Sequence, residues 1–179
     1  MSLRLFLAIP LPEAVCERLL QLRAELAGAY WREADQYHLT LRFIGEVDEA
    51  VARDIDTEVG AMRAAPFELS VEGIGSFGGR EPSAVWAGLR DCPDLLRLAR
   101  SCERAVQRAG LQPSARRYHP HITLAYLRAA RDADVAQFIA RTGEFRTLPF
   151  SVDRFCMYSS HPTRSGSRYV EQAVYPLLG

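Results

Sequence analysis

The chain has 179 residues, 48% of them hydrophobic, enough for one domain or for two small lobes sharing a core. Its 22 basic and 22 acidic residues cancel, which excludes the global positive field of a general nucleic-acid coat. Every basic residue is an arginine. A GC-rich coding sequence accounts for most of that bias, but it leaves arginine, a permanently charged fork, as the only cation for phosphate contacts. Cys16, Cys92, Cys102 and Cys156 have no C-x-x-C spacing, so they predict neither a zinc site nor a secreted disulfide framework. Reduced, mostly buried thiols in a cytoplasmic protein are expected.

The apolar run 3–11 is cut short by Pro10, Pro12 and Glu13. It is too brief to span a membrane and lacks a cleavage site, so residues 4–10 read as an opening strand. Pro12 and Glu13 start a helix predicted to reach about residue 26, with Gly28 closing it. Residues 37–47 read as a strand, and Asp48 as the N-cap of a helix over 49–64. A strand over 67–77 turns at Gly78, Gly79 and Pro82 and returns as a hairpin partner over 83–89.

A helix follows over 91–110, with Leu95, Leu98, Cys102 and Val106 on one face. Then come a loop over 114–118, a strand over 121–127, a short helix over 132–141 and a strand over 145–158. Residues 159–167 read as a polar loop and 168–175 as the last strand. The order helix, strand, helix, strand, hairpin partner occurs twice, as in a divergent duplication. The expected fold is α+β: one domain of two pseudo-symmetric lobes over 1–179, with antiparallel sheets flanking a central cleft and helices outside.

Two strands carry nearly the same text. Tyr37-His38-Leu39-Thr40-Leu41 returns as Pro120-His121-Ile122-Thr123-Leu124. Alternation along a strand puts His and Thr on one face, roughly 6–7 Å apart, and the aliphatics on the other. Any half-buried strand alternates this way, so one copy alone is ordinary. Two copies in a chain with only four histidines point to function. Paired strands supply an acid, a base and two hydroxyl donors around one phosphorus.

The stretch His38-Leu39-Thr40-Leu41-Arg42-Phe43-Ile44-Gly45-Glu46, with His121-Ile122-Thr123-Leu124-Ala125, resembles the 2H phosphoesterase superfamily. Within it the chain is most similar to the bacterial and archaeal RNA 2′,3′-cyclic phosphodiesterases, long labelled 2′-5′ RNA ligases. The opening Arg4-Leu5-Phe6-Leu7-Ala8-Ile9-Pro10 and Trp31 share the resemblance. It departs at one position. Family members often carry arginine after the second motif's Leu-Ala, where this chain has Tyr126; Arg128, two residues on, is the candidate substitute.

The resemblance implies hydrolysis of RNA 2′,3′-cyclic phosphate ends to 2′-phosphates, with reversible 2′-5′ ligation as the companion activity. It implies His38 as general acid and His121 as general base, with the reverse order open, and Thr40 and Thr123 as phosphate ligands. Neither a metal nor another cofactor is expected: two histidines on separate strands without a carboxylate pair match a two-metal site poorly. The expected partners are RNA ends or small cyclic nucleotides, with no membrane, and the expected state is a monomer.

Tyr37, Phe43 and Tyr126 are candidates for base stacking, with packing as the competing role. Arg116, Arg117, Arg128 and Arg164 could contact phosphates, although each alone reads as surface charge. His119 reads as structural, His161 as a solvated loop residue, and Trp31 and Trp86 as core. The competing functions are a phosphodiesterase acting on another cyclic phosphate or on 2′-5′ linked oligonucleotides, and a non-catalytic RNA-binding module.

Overall fold

The structure is a computed structural model that describes residues 2–164 and 166–179. It is an α+β fold with antiparallel sheets. In chain order the elements are β1 (Ser2–Pro10), α1 (Glu13–Leu20), β2 (Ala29–Trp31), a 3-10 turn (Ala34–Gln36), β3 (His38–Asp48), α2 (Glu49–Gly60), β4 (Phe67–Leu69) and β5 (Val71–Phe77). Then follow β6 (Ala84–Leu89), α3 (Pro93–Arg108), β7 (Ile122–Leu127), α4 (Asp132–Thr142), β8 (Phe150–Val152), β9 (Arg154–Thr163) and β10 (Gly166–Pro176).

One four-stranded sheet has the order β10-β9-β1-β3 and the other β2-β7-β6-β5; β4 and β8 form a separate pair. Each four-stranded sheet therefore mixes strands from both halves of the chain, where the repeated pattern suggested one lobe per half. β1 lies inside its sheet and buries Leu5, Phe6, Leu7, Ala8 and Ile9. Each of the four larger side chains stabilises the fold by about 1.5–3 kcal/mol, and Ala8 by less. α3 seals the core with Leu95, Leu98, Cys102 and Val106, the face read from its spacing. Asp48 caps α2 by accepting from Val51 N at 2.9 Å. The cysteines are free; Cys16, Cys102 and Cys156 are buried.

Several boundaries differ from expectation. α1 stops at Leu20, and Gly28 precedes a short strand, β2, that has too few residues to show a period. The expected strands 67–77 and 145–158 each break, because β4 and β8 pair with each other, Phe67 opposite Val152 and Leu69 opposite Phe150. The expected loop 159–167 is instead the end of β9 and the start of β10, with Ser167 opposite Pro162 and Arg168 opposite His161. Its Ser, His, Pro and Thr composition reads as loop, but the hairpin ladder prevails. Ser165 of that stretch lies outside the described residues.

Both motif strands carry a β-bulge at the same place. On β3, Thr40 faces Ala8 and Arg42 faces Leu7, which leaves Leu41 unmatched. On β7, Thr123 faces Trp86 and Ala125 faces Val85, which leaves Leu124 unmatched. One extra residue inverts the alternation beyond it. Phe43 and Tyr126, each five residues after its histidine, are thereby turned to the His and Thr side of their strands.

Candidate active site

His38 opens β3 and His121 immediately precedes β7. Each ring is tied at Nδ1 to the carbonyl oxygen two residues upstream: His38 to Gln36 at 2.9 Å and His121 to His119 at 2.7 Å. A carbonyl only accepts, so Nδ1 carries the hydrogen in both rings. Nε2 is then the atom that takes or gives a proton. Gln36 is itself fixed, since its Nε2 donates to Ser167 O at 2.8 Å and its Oε1 accepts from Glu33 N at 2.9 Å.

Aromatic rings hold both imidazoles. Phe6 stands 4.8 Å from His38 and Tyr169 5.0 Å from it, edge-on. Phe77 meets His121 edge-on at 4.8 Å, and Trp86 lies at 6.3 Å. Burial among these rings pushes His38 down to about 4; its bond to Gln36 opposes that, while the positive charges of Arg32 and His121 reinforce it. His121 is also lowered, by burial first and by His119 in addition, with its bond to His119 O opposing. The charge of His121 acts on His38, so the two rings lie within electrostatic reach. Tyr118, just before the second motif, donates to Thr40 O at 3.0 Å and ties the two motifs together.

A cavity of about 510 Å³ opens beside His38 and is lined by Thr40, Phe43, Tyr126, His161 and Tyr169 among others. Phe43 and Tyr126 are 48% and 49% exposed, so their faces are available to a ligand. His121 and Thr123 stand on the neighbouring sheet, outside this lining. Tyr37, a stacking candidate in the sequence, is only 5% exposed and belongs to the core. Arg128 does not line the cavity: β7 ends at Leu127, and the guanidinium lies over Tyr30 at 5.5 Å. Arg116, Arg117 and Arg164 are exposed.

Sequence reasoning missed four contributors. His161 lines the cavity and bonds Ser159 Oγ through Nε2 at 2.8 Å, because its stretch is a strand. Tyr169 sits on β10, across the sheet from β3. Trp86, read as core, backs His119 at 4.9 Å as well as His121. Trp31 does pack in the core, edge-on to Phe138 at 5.7 Å. The fourth is Arg32, just past β2, which is 7% exposed and donates to Tyr169 Oη at 2.7 Å. No local pattern singles out one arginine among so many.

Trp86 lies flat on Gly75, its partner across β5 and β6; a Cβ there would fall within the indole's van der Waals envelope. Gly75→Ala is expected to displace the ring and cost about 1–3 kcal/mol through overpacking. Thermal unfolding followed by tryptophan fluorescence checks this, and an unchanged melting temperature contradicts it.

Comparison with known proteins agrees with this geometry. The family model of the 2′-5′ RNA ligase superfamily matches residues 11–164. An RNA 2′,3′-cyclic phosphodiesterase of Escherichia coli is 34% identical over 171 residues, covering 93% of this chain and 92% of that protein. Another from Aeropyrum pernix is 31% identical over 140 residues, covering 76% and 80%. The crystal structure of E. coli LigT complexed with 3′-AMP superposes over 100% of both chains with a TM-score of 0.83 at 29% identity. The duplicated motif, the fold and these relatives agree: the chain belongs to the 2′-5′ RNA ligase superfamily.

Proposed function

We propose that this protein hydrolyses RNA 2′,3′-cyclic phosphate ends to 2′-phosphate ends, with His38 and His121 as its acid and base. The observation that carries the reading is the matched anchoring of both imidazoles, each with Nδ1 on a carbonyl and Nε2 left for proton transfer. The relatives named RNA 2′,3′-cyclic phosphodiesterase support the substrate class.

Water attacks phosphorus while His121 Nε2 takes its proton. The bond from phosphorus to O3′ breaks, and His38 Nε2 gives O3′ a proton. The product carries a 2′-phosphate and a free 3′ hydroxyl. Thr40 and Thr123 donate to the non-bridging oxygens, where charge builds. Phe43 and Tyr126 offer exposed faces to the base. Burial disfavours the imidazolium at both rings, so the substrate's negative charge favours the acid's proton. The same steps with an RNA 5′ hydroxyl in place of water, its proton going to His121 and O3′ leaving with the proton of His38, give a 2′-5′ link.

The test is a substrate panel with cytidine 2′,3′-cyclic phosphate, a 3′,5′-cyclic nucleotide and a 2′-5′ linked dinucleotide. Preferential opening of the first to the 2′-phosphate is the expected result. Preference for another member reassigns the substrate, and no turnover on any leaves a binding module.

The reading uses no metal. Among the described residues, no group of three or more His, Cys, Asp and Glu side chains is placed to hold one. Activity is therefore expected to survive excess EDTA; loss on chelation, restored by a divalent ion, overturns the metal-free route. No helix of the described residues is long and apolar enough to cross a membrane. The same proposal takes residues 1–179 as one two-lobed domain, working as a cytoplasmic monomer. Free, buried thiols support a reducing compartment.

A further inference from the structure

Arg32 is a permanent cation that is only 7% exposed, yet no ion pair among the described residues includes it. Burying an unpaired charge is costly unless something else meets it. What meets it here is aromatic. The guanidinium lies over the ring of Tyr126 at 5.3 Å and the ring of Tyr169 at 5.7 Å, and it donates to Tyr169 Oη. A guanidinium has five N–H donors, and Tyr169 takes one. Both tyrosines line the cavity beside His38, while Arg32 itself lies outside that lining and reaches the cavity through them; its charge also reaches His38. An arginine so placed lacks one thing, an anion.

The resemblance leads one to expect an arginine on the second motif strand, at the position of Tyr126. The bulge at Leu124 turns that position towards the cleft, and here it presents a phenol ring. Arg32 reaches the ring from the neighbouring strand: Trp31 pairs with Ala125, and Arg32 N donates to Leu124 O at 2.8 Å. Arg128, the candidate in the sequence, is committed to Tyr30.

We propose that Arg32 is the phosphate-binding cation of this cleft, with Tyr126 as the platform on which its guanidinium rests. A charge carried elsewhere in the family by the second motif strand is supplied here from β2. The fork holds two non-bridging oxygens of the phosphate. Phosphate binding also offsets the charge of Arg32, which adds to burial in lowering His38, so one contact both seats the substrate and favours the acid's proton. The inference rests on the hydrolase reading for its substrate, but its test does not.

The test measures binding of inorganic phosphate by titration calorimetry and kcat/KM on cytidine 2′,3′-cyclic phosphate. Arg32→Gln is expected to weaken phosphate binding at least about tenfold and to lower kcat/KM about 10²-fold, the scale of losing one donor to developing charge. Arg32→Lys keeps the charge, loses the fork and falls between. Arg32→Gln with Tyr126→Arg returns a guanidinium from β7 and is expected to recover most of the phosphate affinity. Arg128→Ala is expected to leave both measurements unchanged. Circular dichroism selects the folded variants, and Arg32→Lys carries the test if the glutamine variant does not fold. Wild-type phosphate affinity in a folded Arg32 variant overturns the proposal, as does transfer of the loss to Arg128→Ala. If the wild-type protein opens no cyclic phosphate, the hydrolase reading falls, while the phosphate titration still decides the role of Arg32.

Discussion

His38→Ala and His121→Ala are each expected to lower turnover of a 2′,3′-cyclic nucleotide by about 10²–10⁴-fold, the contribution of one positioned acid or base. Their circular dichroism is expected to stay that of the wild type, because each ring sits at the cleft edge of its sheet. The two variants separate when the leaving group changes. A p-nitrophenolate leaves without a proton, so a p-nitrophenyl phosphodiester dispenses with the acid and still needs the base. His38→Ala is expected to recover activity on that substrate and His121→Ala is not. Selective rescue of His121→Ala exchanges the two roles and keeps the pair. Near wild-type turnover by either variant on the cyclic nucleotide removes that residue from the mechanism.

The pH response follows from the two lowered imidazoles. An ordinary histidine titrates at about 6.5. Burial lowers both here, His38 to about 4. The working enzyme carries one proton between them. Raising the pH removes that proton below the ordinary histidine value, and lowering it adds a second near that of His38. The bell of kcat/KM is therefore expected to peak on the acid side of neutrality, its limbs belonging to the coupled pair. Bound phosphate favours the imidazolium, so the basic limb of kcat is expected to lie at higher pH than that of kcat/KM. A profile flat across the histidine range, with chemistry rate-limiting, removes proton transfer by histidine.

The same shift bears on stability. The unfolded chain takes up a proton at His38 below about 6.5, and the folded chain does so only near 4. Stability contributed by the neutral ring is thus fully present above about 6.5 and is lost as pH falls towards 4, by on the order of 3 kcal/mol. His38→Gln is expected to flatten that fall in a pH series of thermal unfolding curves.

The histidines and threonines were legible in the sequence because a strand's period of two needs only four residues to show itself. The cap at Asp48 and the buried face of α3 were legible for the same reason, being rules of local spacing. Arg32 was not, since its place depends on pairing between Trp31 and Ala125, almost a hundred positions apart. The orientation of Tyr126 was hidden too. A bulge is visible only as a count of residues against the opposite strand, so Arg128 was expected on a face that the chain leaves at Leu127. The loop expected at 159–167 failed because a long-range ladder outweighed composition.

Many two-part enzymes work as clamshells that open about a hinge. Two ties oppose that here, the pairing of β4 with β8 and the bond from Tyr118 to Thr40 O. β9 and β10 are laced to β1 and β3, β7 is laced to β2 and β6, and β4 is laced to β8. Swinging one four-stranded sheet away from the other would break the β4–β8 ladder, and Tyr118 would have to release Thr40. The gap between the two imidazoles is thus held against opening by those two ties. Under the proposed function, selection then falls on what enters that gap and not on a closing motion.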